Sequence, residues 1–500
     1  MIATNTAASV LALLFAGPSL EPTLRPATGP TAVEAPEVDA PEVDTPPTQP
    51  QPPVATPPSP EPVAEHEPEN APAAVTPDVE SPAKRKPEFS PGVQVFLRGQ
   101  GRVNPDFGAG SAQNTGTVLE RARIQLGATW GPLKAFVQVQ DARAWGFEAS
   151  TTSNQANTDL HQGFLELGGE SETRSLSGYV RAGRQEVAWG KQRMVGSLLW
   201  LPGARSFDAV RAVGKASIVE LDMFVALLSP RATLVDPSTD PPQSEKSAGA
   251  QLAAGKLSFD IHKAINVEGM ALSVFEDGTA ADLSFERRIA DFGGRVWGAP
   301  LAGLTYDVEG HGQVGRVRDQ DHRAWAWAAN VGYMYGKHRV KPGGHVGYAM
   351  ASGHQCTMAT EACGNADNND FYNFFPTNHI HYGIADQMNW SNMRDLEVAA
   401  KLGFDKLLTA VLAYHYFQLQ EPDGRWTNAG GGLVGSGWDP TNTGRGLGHE
   451  LDAFVTLKPW DSHLMVQPGY ALFLPVDAGA RLAGDTPQHF AFLWLVGTFG

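Results

Sequence analysis

The stretch Gly178-Tyr-Val-Arg-Ala-Gly-Arg-Gln-Glu-Val-Ala-Trp-Gly-Lys-Gln-Arg-Met-Val-Gly196, with Arg205-Ser-Phe-Asp-Ala-Val-Arg211 beyond it, decides how this chain is read. It places Arg181, Arg184, Lys191, Arg193, Arg205 and Arg211 in short extended pieces broken by glycine, with apolar neighbours at alternate positions. Burying so many guanidinium groups in a dry core is costly, because each loses its hydration. A water-filled barrel avoids that cost: one face of each strand meets lipid and the other meets the lumen.

The same period of two extends outward from this stretch. Val93, Val95 and Leu97 alternate with Gln94, Arg98, Gln100 and Arg102. Ala122, Ile124 and Leu126 oppose Arg121, Arg123 and Gln125. Val137 and Val139 oppose Gln138 and Gln140, and Leu221, Met223 and Val225 oppose Glu220 and Asp222. Farther on, Leu396, Val398 and Leu402 oppose Asp395, Glu397 and Lys401, while Leu451 and Ala453 oppose Glu450 and Asp452. Strict alternation predicts strands with one apolar face. A soluble sandwich would alternate too, but here the polar face is charged in strand after strand. Aromatic residues (Trp130, Trp145, Trp297, Trp325, Trp327, Tyr333, Tyr335, Trp460) are expected to form girdles at the strand ends. The predicted fold is all-β: a transmembrane antiparallel barrel of about 16–18 strands, a size that leaves an aqueous channel.

Three zones follow. Residues 1–20 hold an apolar run, Ala7 to Ala16, too short to span a bilayer and of signal-peptide length, although no Lys or Arg precedes it. Residues 21–90 are rich in Pro, Glu and Ala, with the tandem Ala35-Pro-Glu-Val-Asp39 and Ala40-Pro-Glu-Val-Asp44. Such a segment cannot bury enough apolar surface to fold, so it is expected to be a disordered periplasmic linker. Stiffened toward polyproline II it could reach about 200 Å, as a spacer or as a tether to peptidoglycan or a periplasmic export partner. Residues 91–500 are the expected barrel. The linker zone, Glu21 to Glu88, carries 13 acids and 4 bases, a net of −9 out of −16. The acidic balance therefore says little about the lumen, where local charge decides.

The two cysteines, Cys356 and Cys363, close a short loop among Gly, Asn and Asp, which predicts a disulfide in an oxidising compartment. Metal binding with His354, His379 or His381 is the alternative, but nothing enforces ligand spacing. Asn378, His379, His381 and Ser391 could suggest a hydrolase, yet no motif fixes a third partner or an oxyanion donor. No phosphate-cradling glycine loop and no nucleic-acid patch occurs, and no cofactor is expected.

Several motifs, in order, resemble the alginate-export family of outer-membrane barrels. They are Gly183-Arg184-Gln185-Glu186, Gly190-Lys-Gln-Arg193, Arg205-Ser-Phe-Asp-Ala-Val-Arg211, Phe374-Phe-Pro-Thr-Asn-His379, Tyr382-Gly-Ile-Ala-Asp386, Trp390-Ser-Asn-Met-Arg394, Gly448-His-Glu450-Leu-Asp452 and Pro468-Gly-Tyr470. The resemblance implies a single-chain barrel in the bacterial outer membrane with a basic lumen. It implies an anionic polyuronate passing arginines flanked by carboxylates. The positions carried over are Arg181, Arg184, Arg193, Arg205, Arg211 and Arg394, with Glu186, Asp208 and Asp395 as flanking acids. Alternation adds Arg98, Arg121 and Arg123 to the expected lumen path. The chain departs from the family in its Pro-rich segment, its cysteine loop and the region 232–312. The function expected is a channel for anionic solutes, an acidic polysaccharide foremost. A specific porin for small organic anions is the alternative.

Overall fold

The computed structural model describes residues 86–110, 113–145, 157–171, 176–229, 232–236, 243–247, 249–277, 286–336, 339–354, 367–459 and 463–500. The expected leader, most of the expected linker, Cys356, Cys363 and Trp460 lie outside the described residues.

The wall begins with β1 (Glu88–Val103), β2 (Thr115–Trp130), β3 (Leu133–Trp145), β4 (Asn157–Ser171), β5 (Leu176–Gln185), β6 (Phe207–Ala216) and β7 (Val219–Ser229). A separate hairpin of β8 (Ala232–Asp236) and β9 (Gln243–Ser247) follows. The wall resumes with β10 (Gly249–His262), β11 (Ile265–Asp277), β12 (Glu286–Leu301), β13 (Leu304–Val317) and β14 (Gln320–Met334). It ends with β15 (Val340–Ala351), β16 (Met393–Phe404), β17 (Leu408–Leu419), β18 (Gly446–Leu457), β19 (Leu464–Pro475) and β20 (Gln488–Phe499). Eighteen strands form one sheet. Neighbours pair antiparallel, β7 pairs β10 across the hairpin, and β1 pairs β20, so the sheet closes on itself. Closure leaves no unpaired edge, the condition for a sheet to cross lipid.

Alternation runs as the residues predict. Ile124 is 69% exposed on the outer face, whereas Arg121 beside it is 2% exposed and points inward. Val93, Val95, Val137, Val139, Met223, Val225, Leu396, Val398 and Leu451 all face outward. Trp130 and Trp145 sit at strand ends, and Trp325, Trp327, Tyr333 and Tyr335 face outward. Trp297 departs from the expected girdle. It lines the lumen, with the Arg295 guanidinium 4.3 Å from its ring centre.

The two ends of the barrel differ. At one end, two-residue turns such as Gly131-Pro132 and Ser217-Ile218 join strands, with Gly131 and Ser217 in the left-handed region. At the other end, with the two-residue turn Arg318-Asp319 between β13 and β14 as an exception, most connections are long. Three of them, 186–206, 352–392 and 420–445, contribute buried residues to a core inside the barrel. That core includes Trp189, Met194, Phe374, Tyr382, Trp390, Trp426 and Leu447, packed on inward wall residues such as Phe224, Leu252 and Phe473. A short helix, α1 (Asp477–Ala483), adds Ala478, Leu482 and Ala483. Within 352–392, residues Asn378–Ile380 form one 3-10 turn.

If the outer face meets lipid, Val225→Arg near the middle of β7 should destabilise the barrel by about 2–4 kcal/mol. Denaturant titration of the barrel folded into phospholipid vesicles measures this, and unchanged stability would contradict the assignment of faces.

Candidate functional site

The inward-folded segments divide the lumen into two chambers. The one toward the long connections has a volume of about 1200 Å³, and the one toward the short turns about 1020 Å³. The segment Asn378–Asp386 parts them. Asn378, Ala385 and Asp386 line the first chamber, Ile380, His381, Tyr382 and Ile384 line the second, and His379 lines both.

Arginines of the wall and loops hold this partition and its neighbours. Arg98 of β1 donates from Nη1 to the Trp200 carbonyl at 2.7 Å and stacks on the Trp200 ring, 3.4 Å from its centre. Arg121 of β2 donates to the carbonyls of Leu199 and Leu201. Arg102 donates to the Ala385 carbonyl at 2.9 Å and to Gln488. Arg205 joins two loops, donating to the carbonyls of Gly196, Phe375 and Pro376. Burial pushes the Arg205 guanidinium down to about 10, so it remains charged at neutral pH. Trp200 in turn stacks on His379, with ring centres 3.6 Å apart, and donates to Asp386. Among the described residues, Arg98, Arg102, Arg121 and Arg205 form no ion pair, and their partners are neutral oxygens and rings. Their positive charge at the neck is therefore not cancelled at contact distance.

Strand β18, three places round the closed sheet from β1, holds the partition by its amides. Ala385 N–H donates to Glu450 Oε1 at 2.8 Å and Ile384 N–H to Asp452 Oδ2 at 3.1 Å. Gly383 allows this approach. Its φ is +78°, and a Cβ there would lie 2.5 Å from Glu450 Oε1. His379 bonds Asp386 at 2.9 Å. Burial would raise the Asp386 carboxyl, but His379, Arg102 and Arg98 outweigh it and hold it below the ordinary range. His381 bonds the Lys191 carbonyl, and burial together with Arg193 pushes it down to about 3, so it is neutral.

The other residues singled out in the sequence fall into distinct places. Arg181 pairs with Glu166, and Arg211 grips Asp222 at 2.6 and 2.8 Å. Both therefore face the lumen already neutralised by wall carboxylates. Arg123 bonds Gln140, His161 and Glu186. Burial would raise Glu186, but His161 and Arg123 hold it below its usual value. Arg193 bonds Glu309 at 3.0 Å. Asp395 is buried and flanks His415 rather than an arginine. Arg184 and Asp208 do not join the lumen. They face each other at 3.6 Å on the outward parity near the long-loop end, Asp208 alternating with buried Phe207 and Ala209. Arg394 likewise shares the parity of outward-facing Leu396 and bonds Gln420 at the rim. Among the described hydrogen bonds no serine hydroxyl meets a histidine, so Ser391, His379 and His381 assemble no nucleophile. The neck residues missed in the sequence are Trp200, Arg102, Asp386, Glu450 and Asp452. The Tyr382–Asp386 and Gly448–Asp452 motifs carried the signal, but nothing local says that one seats on the other.

These features, a closed eighteen-strand barrel with arginines turned inward, match a family pattern described as alginate export over residues 88–492. The chain belongs to the alginate export family. It is a barrel of the bacterial outer membrane. No curated protein matches in sequence. Its fold is similar to that of three solved barrels. Pseudomonas aeruginosa OpdO is 10% identical, covering 82% of this chain and 97% of its own, with a TM-score of 0.52. Pseudomonas aeruginosa OccK11 (OpdR) is 10% identical, covering 83% and 96%, with a TM-score of 0.50. Acinetobacter baumannii OccAB1 is 12% identical, covering 82% and 97%, with a TM-score of 0.50. At such identities the likeness is one of fold. Long connections of outer-membrane barrels face the exterior and short turns the periplasm, so the larger chamber opens outward.

That outer chamber is lined by five arginines and two aspartates, Asp370 and Asp386. Burial raises Asp370 to about 6, against a bond from the His354 amide. It is charged above that pH and neutral below. The ratio of anion to cation permeability should therefore rise as the pH falls from about 7 to about 5, through protonation of this carboxyl. Asp370→Asn should show the higher ratio at both values. Reversal potentials check this, and an unchanged pH response in Asp370→Asn would contradict it.

Proposed function

We propose that this barrel is an anion-selective channel whose preferred solutes are small organic acids rather than a polymer. One observation carries the reading. Arg102 and Arg205 line the outer chamber at the neck, bonded to neutral oxygens, with Arg98 and Arg121 buried in the wall behind, while the bore beside it is filled by a packed apolar core. Guanidinium remains charged across the physiological range and binds carboxylate with geometric preference, so weak successive sites at Arg102 and Arg205 suit carboxylates in transit, with the buried charges of Arg98 and Arg121 adding to the positive potential. A polyuronate would need a continuous bore. Here Tyr382, Trp390 and Trp426 are nearly inaccessible and would have to leave their packing. The family's polysaccharide reading is the second possibility, and it needs the partition to swing aside.

The experiment is single-channel recording in planar bilayers, with reversal potentials under a KCl gradient and then added solutes. Anion selectivity is expected, with block by monomeric organic acids that does not strengthen as uronate oligomers lengthen. Block that deepens with oligomer length would instead support the polysaccharide. Cation selectivity would overturn the proposal.

A further inference from the structure

Glu450 and Asp452 point inward from β18, two residues apart, at 0% and 2% exposure. Each spends one oxygen on a partition amide, as described above. Their second oxygens, Glu450 Oε2 and Asp452 Oδ1, are buried with no hydrogen-bond partner. The two side chains nevertheless lie within hydrogen-bonding reach of each other. Two acceptors cannot satisfy one another. Two ionised carboxylates packed together repel, whereas one proton between them meets both needs.

The surroundings leave that proton as the fitting occupant. His415 of β17 places Nε2 3.9 Å from Asp452 but is bonded to Asp395 of β16. Glu397 of β16 is engaged by His345 of β15. In the partition, His379 is bonded to Asp386. Arg102 of β1 donates to the Ala385 carbonyl and Gln488. β19 and β20 present Ala471, Phe473 and Gln488 to the pair, none of them titratable. Among the described residues no group of three or more His, Cys, Asp or Glu could hold a metal ion.

We propose that Glu450 and Asp452 share one proton, and that this carboxyl pair is a latch holding Asn378–Asp386 across the bore. Loss of the proton, to water in the chamber that Asp452 lines, leaves two like charges beneath the Ile384 and Ala385 amides and frees the partition. The inference rests on the reading of this segment as the neck of a channel. Glu450→Gln is the informative variant: its amide can donate to Asp452 Oδ1 and so imitates a proton that cannot leave.

The test uses the full chain in planar bilayers and in vesicles. Wild-type conductance should rise severalfold between about pH 6 and about pH 10, and Glu450→Gln should stay at the low level throughout. Infrared spectra at neutral pH should show a protonated-carboxyl carbonyl band that Glu450→Gln and Asp452→Asn each remove. If Glu450→Gln does not insert, Asp452→Asn supplies the complementary donor, and its conductance should likewise stay low. A wild-type pH rise retained in both variants, absence of the carboxyl band, or conductance that follows Na⁺ or Ca²⁺ at fixed pH would overturn the latch. Anion selectivity read from the same recordings keeps the two proposals apart. Its loss at about pH 6 would sink the channel assignment, whereas selectivity without a pH step sinks only the latch.

Discussion

The donation of wall guanidinium groups to backbone carbonyls of inward-folded loops is the interaction on which the rest of the structure depends. A closed sheet of eighteen strands is wide enough to leave an open bore. Loops can enter that bore only if their peptide groups find partners away from bulk water. Arginine is suited to the task, having five donors on one planar group. Arg98 and Arg121 meet the loop 186–206, and Arg205 ties that loop to residues 375 and 376. The same bonds decide the electrostatics. A guanidinium paired with a carboxylate contributes little net charge to a pore, as with Arg211 and Asp222. One bonded to a neutral carbonyl keeps its charge uncancelled, as with Arg102 and Arg205 at the outer chamber. In the proposed channel the side chains that hold the loops are also those that set the charge of the path.

The neighbouring strand β18, beyond β20 and β19, completes the arrangement with the reverse chemistry. Peptide groups of the partition turn a carbonyl toward Arg102 and amides toward Glu450 and Asp452. The segment is therefore held from one arc of the wall, β18 to β1, by a cation on its carbonyl and acids on its amides. Arg98, Trp200 and His379 stack in succession onto the partition, and a desolvated cation–ring contact of this kind contributes about 2 kcal/mol. This is a held partition rather than a loose plug. That distinction favours small solutes over a polymer as the cargo of this conformation.

Much of the barrel was legible in the sequence because its signal is local. Alternation needs only neighbours two apart, and it located the outward face of β1, β2, β3, β7, β16 and β18 residue by residue. It also assigned Arg98, Arg121 and Arg123 to the inward face, where they are buried. The motifs misled where they were followed in place of the period: Arg184, Asp208 and Arg394 belong to recognisable motifs, yet each falls one residue off the inward register. A shift of one residue in a strand exchanges faces completely. The loops were not legible at all. Their apolar residues carry no periodicity, and the pairs that seat them, such as Arg102 with Ala385 or Gly383 against Glu450, are separated by tens to hundreds of residues. Only the requirement for glycine at position 383 left a local trace.

In the proposed channel, loops fixed from the walls, and not the barrel's own diameter, set the bore. Liposome swelling with neutral sugars of increasing size measures the bore directly. The wild-type chain should exclude all but the smallest sugars. A chain in which residues 378–386 are replaced by a short Gly-Ser link should admit much larger ones. An identical size limit in the two chains would contradict the account.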